Sequence, residues 1–380
     1  MNGILVLEDG RWFRGQRFGA DGDAAGEFVF NTSMQGYQEI LTDPSYVGQV
    51  VVLTSSHVGN YGVNRDDPES SRVCAAGLVV RDHHAHPSNW RADRSLHDEL
   101  RDHGVAGLGG VDTRALTLHL RDHGAQRGVI APWPMDSELT LGGWVDASNN
   151  TVPLQALVAQ ARATPTMTGR DLAREVTCKQ AWTAGEADAR FHVVCLDFGI
   201  KRNIVRQLLA LGCRVTVAPA STGPADVLAL RPDGVLLSNG PGDPEPVTTA
   251  QHTIGALLGR VPIFGICLGH QLLALALGGQ TYKLPFGHRG GNHPVRDVDT
   301  GRVEITAQNH GFAVRASSLD GRQVTVTHVN LNDDTVEGLR HRHLPAFSVQ
   351  FHPEAAPGPH DSHHLFARFV QSMARFAGAR

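Results

Sequence analysis

The segment "FGICLGHQLLALALGG", residues 264–279, decides the fold. A short apolar run ends in Gly265-Ile266-Cys267-Leu268-Gly269, and a second apolar run of helical period follows it. Glycines on both sides of the cysteine permit a tight strand-to-helix turn with the G-x-nucleophile-x-G spacing of a nucleophile elbow, which leaves the thiol at the top of a sheet. A cysteine has an ordinary pKa of ~8.5, and a helix N-terminus lowers it. The Leu268 N–H would point at an oxyanion formed beside the sulfur. A buried core cysteine fits the same residues equally well, so other parts of the chain must decide.

Outward from this segment, strand and helix alternate from residue 191. "FHVVCLDFG", "CRVTVAPA", "DGVLLSNGPG" and "VPIFGIC" read as near-continuous apolar strands. "IKRNIVRQLLALG", "PADVLALRP", residues 247–259 and "LGHQLLALALGG" read as the helices between them, before a β-rich tail and a final helix. Apolar strands separated by amphipathic helices imply a parallel sheet with helices on both faces. Ligands of such folds sit beyond the carboxyl ends of the strands. The turns after "LLSN", "PIFGI" and "FSVQF" are therefore the candidate site.

"FSVQFHPEA" (347–355) supplies the missing partners. Alternation through Phe347, Val349 and Phe351 predicts a strand that delivers His352-Pro353-Glu354 at its carboxyl end. Glu354 could orient the imidazole while His352 takes the proton of Cys267, making a Cys-His-Glu triad. Gly240-Pro241-Gly242 would let backbone N–H groups approach a substrate closely, although an ordinary Gly/Pro turn reads the same. Asn309, His310, Gly311 and Phe312 in "ITAQNHGFAV" are expected on a turn between strands, with polar groups suited to an amide substrate.

The other half of the chain differs. At 380 residues two domains are expected. Residues 1–150 read as a β-rich α+β domain, with a helix over "VDTRALTLHLRDHG" (111–124). Residues 151–190 read as a linker, and residues 191–380 as the α/β domain. The formal charge of −4, without any like-charge block, argues against a nucleic-acid or membrane partner. The N-terminus reads as strand, turn and strand rather than a signal peptide, and no apolar stretch approaches about 18 residues, so a cytoplasmic protein is expected. Five cysteines without a C-x-x-C pair argue against disulfides and a zinc site. Histidines 83, 84 and 86, and histidines 360, 363 and 364, read as exposed rather than metal-binding. The three lysines, Lys179, Lys201 and Lys283, none of which follows a glycine, exclude a Walker A loop.

Together, "GICLGHQ", "SNGPGDP", "QNHGFAV" and "FHPE" resemble the signature of class I glutamine amidotransferases. "GYQEILTDPSYVGQVVVLTSSHVGNYGVN", "VDTRALTLHLRDHGAQRGVI", "CLDFGIKRNIVRQL" and "FGHRGGNHPV" are similar to the family of small, glutamine-hydrolysing chains of carbamoyl phosphate synthetases. The resemblance runs nearly end to end, departing mainly at "RDHHAHPSNWR" (81–91) and in the linker. It implies a flavodoxin-like C-terminal sheet, and catalysis by Cys267, His352 and Glu354 through a γ-glutamyl thioester. It implies a glutamine site made of Ser45, Gly240, Gly242, Leu268, Gln271, Asn309, Gly311 and Phe312, with Ser45 contributed by the other domain. No cofactor is implied in this chain. ATP, magnesium and bicarbonate would be used by a large synthetase partner, which receives the ammonia for pyrimidine and arginine synthesis. Another class I amidotransferase or Cys-His-Glu hydrolase, and a non-enzymatic scaffold activating that partner, remain as alternatives. The N-terminal 150 residues speak against the first, and a reactive thiol at an elbow against the second.

Overall fold

The computed structural model describes residues 2–133, 138–140, 143–145, 151–152 and 154–378. The chain forms two compact units, Met1–Met167 and Thr168–Arg380. The expected boundary at residue 150 falls among residues outside the described set. The stretch 151–190, read as a linker, is divided between the units. Its helix Leu154–Ala163 packs in the first unit, and its helix Ala173–Val176 and strand at Trp182–Ala184 belong to the second. Polar composition suggested a tether, but an exposed edge strand and a surface helix are polar too.

In the first unit seven strands close into a barrel: β1 (Asn2–Leu7), β2 (Trp12–Gly19), β3 (Ala24–Asn31), β4 (Gln49–Leu53), β5 (Gly77–Val79), β6 (Ala106–Gly109) and β7 (Gln126–Pro132), in the order 1-2-6-5-4-3-7. Strands β3 to β6 run parallel, and β1, β2 and β7 close the barrel antiparallel. Alternation splits the strand residues between two faces. Leu5, Leu7, Val50, Val52 and Leu108 share one cluster with Leu116 and Leu120 of α2 (Thr113–His123). On the other face, Val51 and Leu78 pack with Leu96 and Leu100 of α1 (Leu96–Asp102). There too, Ile4 and Val129 pack with Leu157 and Ala161 of α3 (Leu154–Ala163). Helix α2 begins at Asp112, whose carboxylate accepts from the Ala115 N–H at 2.9 Å, and ends at Gly124, as its caps predict.

In the second unit ten strands form one sheet: β8 (Trp182–Ala184), β9 (Phe191–Asp197), β10 (Cys213–Pro219), β11 (Gly234–Leu237), β12 (Ile263–Ile266), β13 (Thr281–Asp297), β14 (Val303–Val314), β15 (Val324–Asn330), β16 (Val336–His341) and β17 (Ala346–Val349). The parallel part runs β10-β9-β11-β12-β17, the flavodoxin-like order 2-1-3-4-5. Val194, Leu196, Val235 and Leu237 pack against α5 (Pro224–Ala229), α6 (Thr248–Leu257) and α7 (Leu268–Ala276). Val193, Cys195, Leu236 and Phe264 face the other way, against α4 (Arg202–Ala210) and α8 (His364–Gly378). Strands β13 to β16 extend the sheet antiparallel.

One sequence expectation changes here. Asn309 to Phe312 do not form a turn but lie within β14, where Asn309 pairs with Arg289 and Phe312 with Lys283. The polar Asn-His-Gly run mimics a turn, and the irregularity it signals is a register shift in the partner strand between Lys283 and His288.

Candidate active site

Cys267 stands where β12 becomes α7, with φ 53° and ψ −105°, an unusual conformation for a residue with a Cβ. Its surroundings over-determine it. The Cys267 N–H donates to Val349 O at 2.9 Å and the Gly269 N–H to Ser238 O at 3.0 Å. A Cβ on Gly269 would lie 2.2 Å from Leu237 O, and one on Gly265 2.7 Å from Gly269 O. Both glycines are therefore required by close packing of the elbow on its neighbours. Leu268 is the first helical residue, so its N–H has no acceptor within the helix.

The adjacent parallel strand β17 delivers His352, buried beside Cys267, and its backbone N–H is anchored on Ala307 O at 2.9 Å. His352 donates its Nδ1–H to Glu354 Oε1 at 2.6 Å. Nε2 is buried and among the described residues forms no hydrogen bond of normal geometry, which leaves it the Cys267 sulfur, an electrostatic partner of the ring. Burial alone would lower the His352 pKa, but the charge of Glu354 and the adjoining sulfur outweigh it and hold the imidazole well above its ordinary value.

Glu354 is fully buried and has a second cation. Lys201 Nζ lies 3.0 Å from Glu354 Oε1 and donates to Ala355 O at 2.5 Å. Burial pushes the Glu354 pKa up, yet Lys201 and then His352 pull it down to about 2. Lys201 follows β9 in the turn before α4, its N–H held by Asn239 Oδ1 at 3.1 Å. Asn203, two residues on, donates its side-chain amide to Glu354 O. Sequence reasoning missed Lys201 and Asn203, although Lys201 lies four residues past the carboxyl end of β9, on a turn of the kind expected to carry the site.

The other expected residues of this unit converge on the elbow. A Cβ on Gly240 would meet Phe198 O at 2.2 Å and Leu268 Cδ2 at 2.8 Å, so the Gly-Pro-Gly turn lies against the start of α7. Gly242 has φ 83°, which suits glycine. Gln271, one turn into α7, donates to Phe312 O at 2.8 Å and to Gln350 Oε1 at 3.0 Å. Asn309 O is 3.6 Å from Cys267 Sγ, and Gly311 and Phe312 follow on the same strand. Ser45 belongs to the first unit, in a short turn where its N–H is held by Asp43 Oδ1 at 2.9 Å.

Behind β14 runs a buried polar network. His310 sits 2.8 Å from Phe312 O and 3.0 Å from Gln308 Oε1, and Gln308 donates to Glu337 Oε2 at 3.0 Å. His288 bridges Asp333, at 2.8 Å, and Glu337, at 3.6 Å. Burial would lower the His288 pKa, but these two carboxylates carry it to about 9. His288, His310 and Glu337 each bring a ligand-type atom within 4.8 Å of the others, but His310 and Glu337 already spend theirs on hydrogen bonds.

A thiol at an elbow, a charged imidazole on the next strand and a carboxylate beyond it, all above a 2-1-3-4-5 sheet, define a triad amidotransferase of the class I kind. The family described as "Glutamine amidotransferase class-I" matches residues 194–372, and "Carbamoyl-phosphate synthase small chain, CPSase domain" matches residues 5–130. Proteins named carbamoyl phosphate synthase small chain are 55% identical in Syntrophotalea carbinolica, over 99% of this chain and 98% of that one, and 54% identical in Chlorobaculum tepidum, over 98% of each. A third, from Rhodopirellula baltica, is 50% identical over 98% of this chain and 97% of its own. The chain belongs to the carbamoyl phosphate synthase small-chain family.

Proposed function

We propose that the chain is the glutamine-hydrolysing subunit of a carbamoyl phosphate synthase, with Cys267, His352 and Glu354 as its catalytic residues. The observation that carries this reading is the continuous line Cys267–His352–Glu354–Lys201 across the carboxyl ends of neighbouring parallel strands.

In this reading the Cys267 thiolate attacks the side-chain carbonyl carbon of glutamine. The Leu268 N–H and a glycine N–H of the Gly240-Pro241-Gly242 turn hold the resulting oxyanion. The imidazolium of His352 gives its proton to the leaving nitrogen, the C–N bond breaks, and ammonia departs from a γ-glutamyl thioester. Water then attacks the thioester, passing a proton back to His352; the C–S bond breaks, thiolate and imidazolium are restored, and the product leaves as glutamate, its carboxyl proton going to solvent. Gln271, Asn309, Gly311 and Phe312 hold the glutamine beside the thiol. Ser45 joins them on the strength of the family resemblance alone.

This chemistry needs no cofactor in the chain itself. The ammonia passes to a large synthetase subunit that uses ATP, magnesium and bicarbonate to make carbamoyl phosphate for pyrimidine and arginine synthesis, the two chains forming a cytoplasmic heterodimer. No helix of the described residues is long and apolar enough to cross a membrane. The test is glutamate release from glutamine by the purified chain, alone and with the large subunit, bicarbonate and ATP, for wild type and Cys267→Ser. Release that vanishes in Cys267→Ser and rises with the partner supports the reading. No release from wild type under any condition overturns it.

A further inference from the structure

A second site lies at the opposite end of the sheet. A cavity of about 620 Å³ opens where the turn after β16 meets the C-terminal half of α8. Gly259 and Pro345 line it at the amino ends of β12 and β17, whose carboxyl ends carry Cys267 and His352. Its size falls in the range of small-molecule sites, roughly 300–1,000 Å³.

Among the described residues the lining is basic and holds no acidic side chain. Arg368 and Arg375 are seven residues apart on α8, with Gln371 and Ser372 between them, and this spacing puts all four on one helix face. Arg340 and Arg342 enter from β16 and the turn after it. Arg340 pairs with Asp299 at 2.7 Å, and Arg342 donates its Nε–H to Gly321 O.

Arg368 is the informative member. Its guanidinium is half-buried, 4.8 Å above the Phe347 ring, and forms no hydrogen bond or ion pair among the described residues. Burial and the nearby charge of Arg340 push its pKa down, and Asp297 and Asp299 offset this only from a distance. A desolvated cation crowded by cations is unfavourable unless an anion joins it. Guanidinium forks match a phosphate in two-pronged hydrogen bonds, and the Phe347 ring holds the Arg368 plane in place.

We propose that this cavity binds a small phosphate-bearing anion, with Arg368 as its central donor and Arg340, Arg342 and Arg375 around it. Gln371 and Ser372 supply further donors to the phosphate. The glutamine chemistry at the far end of the sheet uses none of these residues, so the proposal stands or falls separately from it.

The experiment titrates inorganic phosphate and phenyl phosphate into the full chain, free and assembled with its large subunit, by calorimetry in low-salt buffer, for wild type, Arg368→Gln and Arg375→Gln. So that any phosphate bound by the partner cancels, the signal in the assembly is read as the difference between wild type and variant. The expected result is saturable one-to-one binding, weakened about tenfold or more in Arg368→Gln and less in the exposed Arg375→Gln. Glutaminase activity should be unchanged in both. Tighter binding of phenyl phosphate identifies an organic phosphate monoester as the ligand, and equal binding identifies phosphate itself. Binding that is absent, undiminished in both variants, or lost on assembly because the partner covers the cavity overturns the proposal. Should Arg368→Gln fail to fold, Arg375→Gln alone decides.

Discussion

Replacing Lys201 by methionine keeps a stem of similar length and removes the ammonium 3.0 Å from Glu354 Oε1. The carboxyl falls from its ordinary 4.5 to about 2 in the folded chain, against a burial effect that raises it. That fall corresponds to about 3 kcal/mol of stabilisation at neutral pH, shared between Lys201 and His352. Ala355 O also loses its donor. A loss of about 2–3 kcal/mol follows, below the roughly 3–5 kcal/mol of a fully stranded buried charge because His352 remains beside Glu354. In a unit of this size it lowers the unfolding temperature by about 5–10 °C. The sign of the pH dependence is fixed by the lowered carboxyl. Its stabilisation is present above 4.5 and fades as pH falls toward 2, so wild type and Lys201→Met should converge on acidification. Thermal scans from neutral to acid pH, paired with glutamate release, test this. The glutaminase kcat/KM should fall about tenfold or more, because an unanchored carboxylate orients His352 less well. A variant with unaltered unfolding temperature and unaltered kcat/KM at neutral pH would refute the reasoning.

Gly269→Ala places a Cβ 2.2 Å from Leu237 O, a backbone atom that cannot rotate away, so the elbow must shift. Glutamate release should drop at least tenfold, with a stability loss of about 1–3 kcal/mol by chemical denaturation; normal activity would show that the packing at Gly269 does not position the thiol. His288, raised to about 9 by Asp333 and Glu337 against burial, stabilises the fold fully below pH 6.5 and loses that contribution as pH rises through 9. Unfolding curves should therefore show His288→Asn less stable near pH 6.5 and closer to wild type above pH 9. The KM for glutamine should rise as β14 loosens, and a deficit independent of pH would contradict the charge assignment.

The legible parts of this chain were those encoded locally. Gly265, Cys267 and Gly269 lie within five residues, and His352 and Glu354 within three, so spacing alone exposes the turn and the hydrogen bond. Lys201 was not legible, because its partner is 153 residues away and lysines are ordinarily solvated. Asn309 to Phe312 misled because turn-forming residue types also occupy irregular strands, and only pairing with β13 distinguishes the two. Barrel closure in the first unit is set by the long-range pairing of β1 with β7, which strand-length alternation does not report.

Three buried charges line up beside the Cys267 sulfur. Lys201, Glu354 and the imidazole of His352 alternate in sign, and the Cys267 sulfur stands next to them. Each member is nearly or fully removed from water, and each has its opposite beside it. The positive φ of Cys267 keeps the sulfur at the end of this line. Neutralising Glu354 leaves two cations facing each other in a dry site. The four side chains should therefore behave as one unit, and double substitutions along the line should cost less than the sum of the single ones.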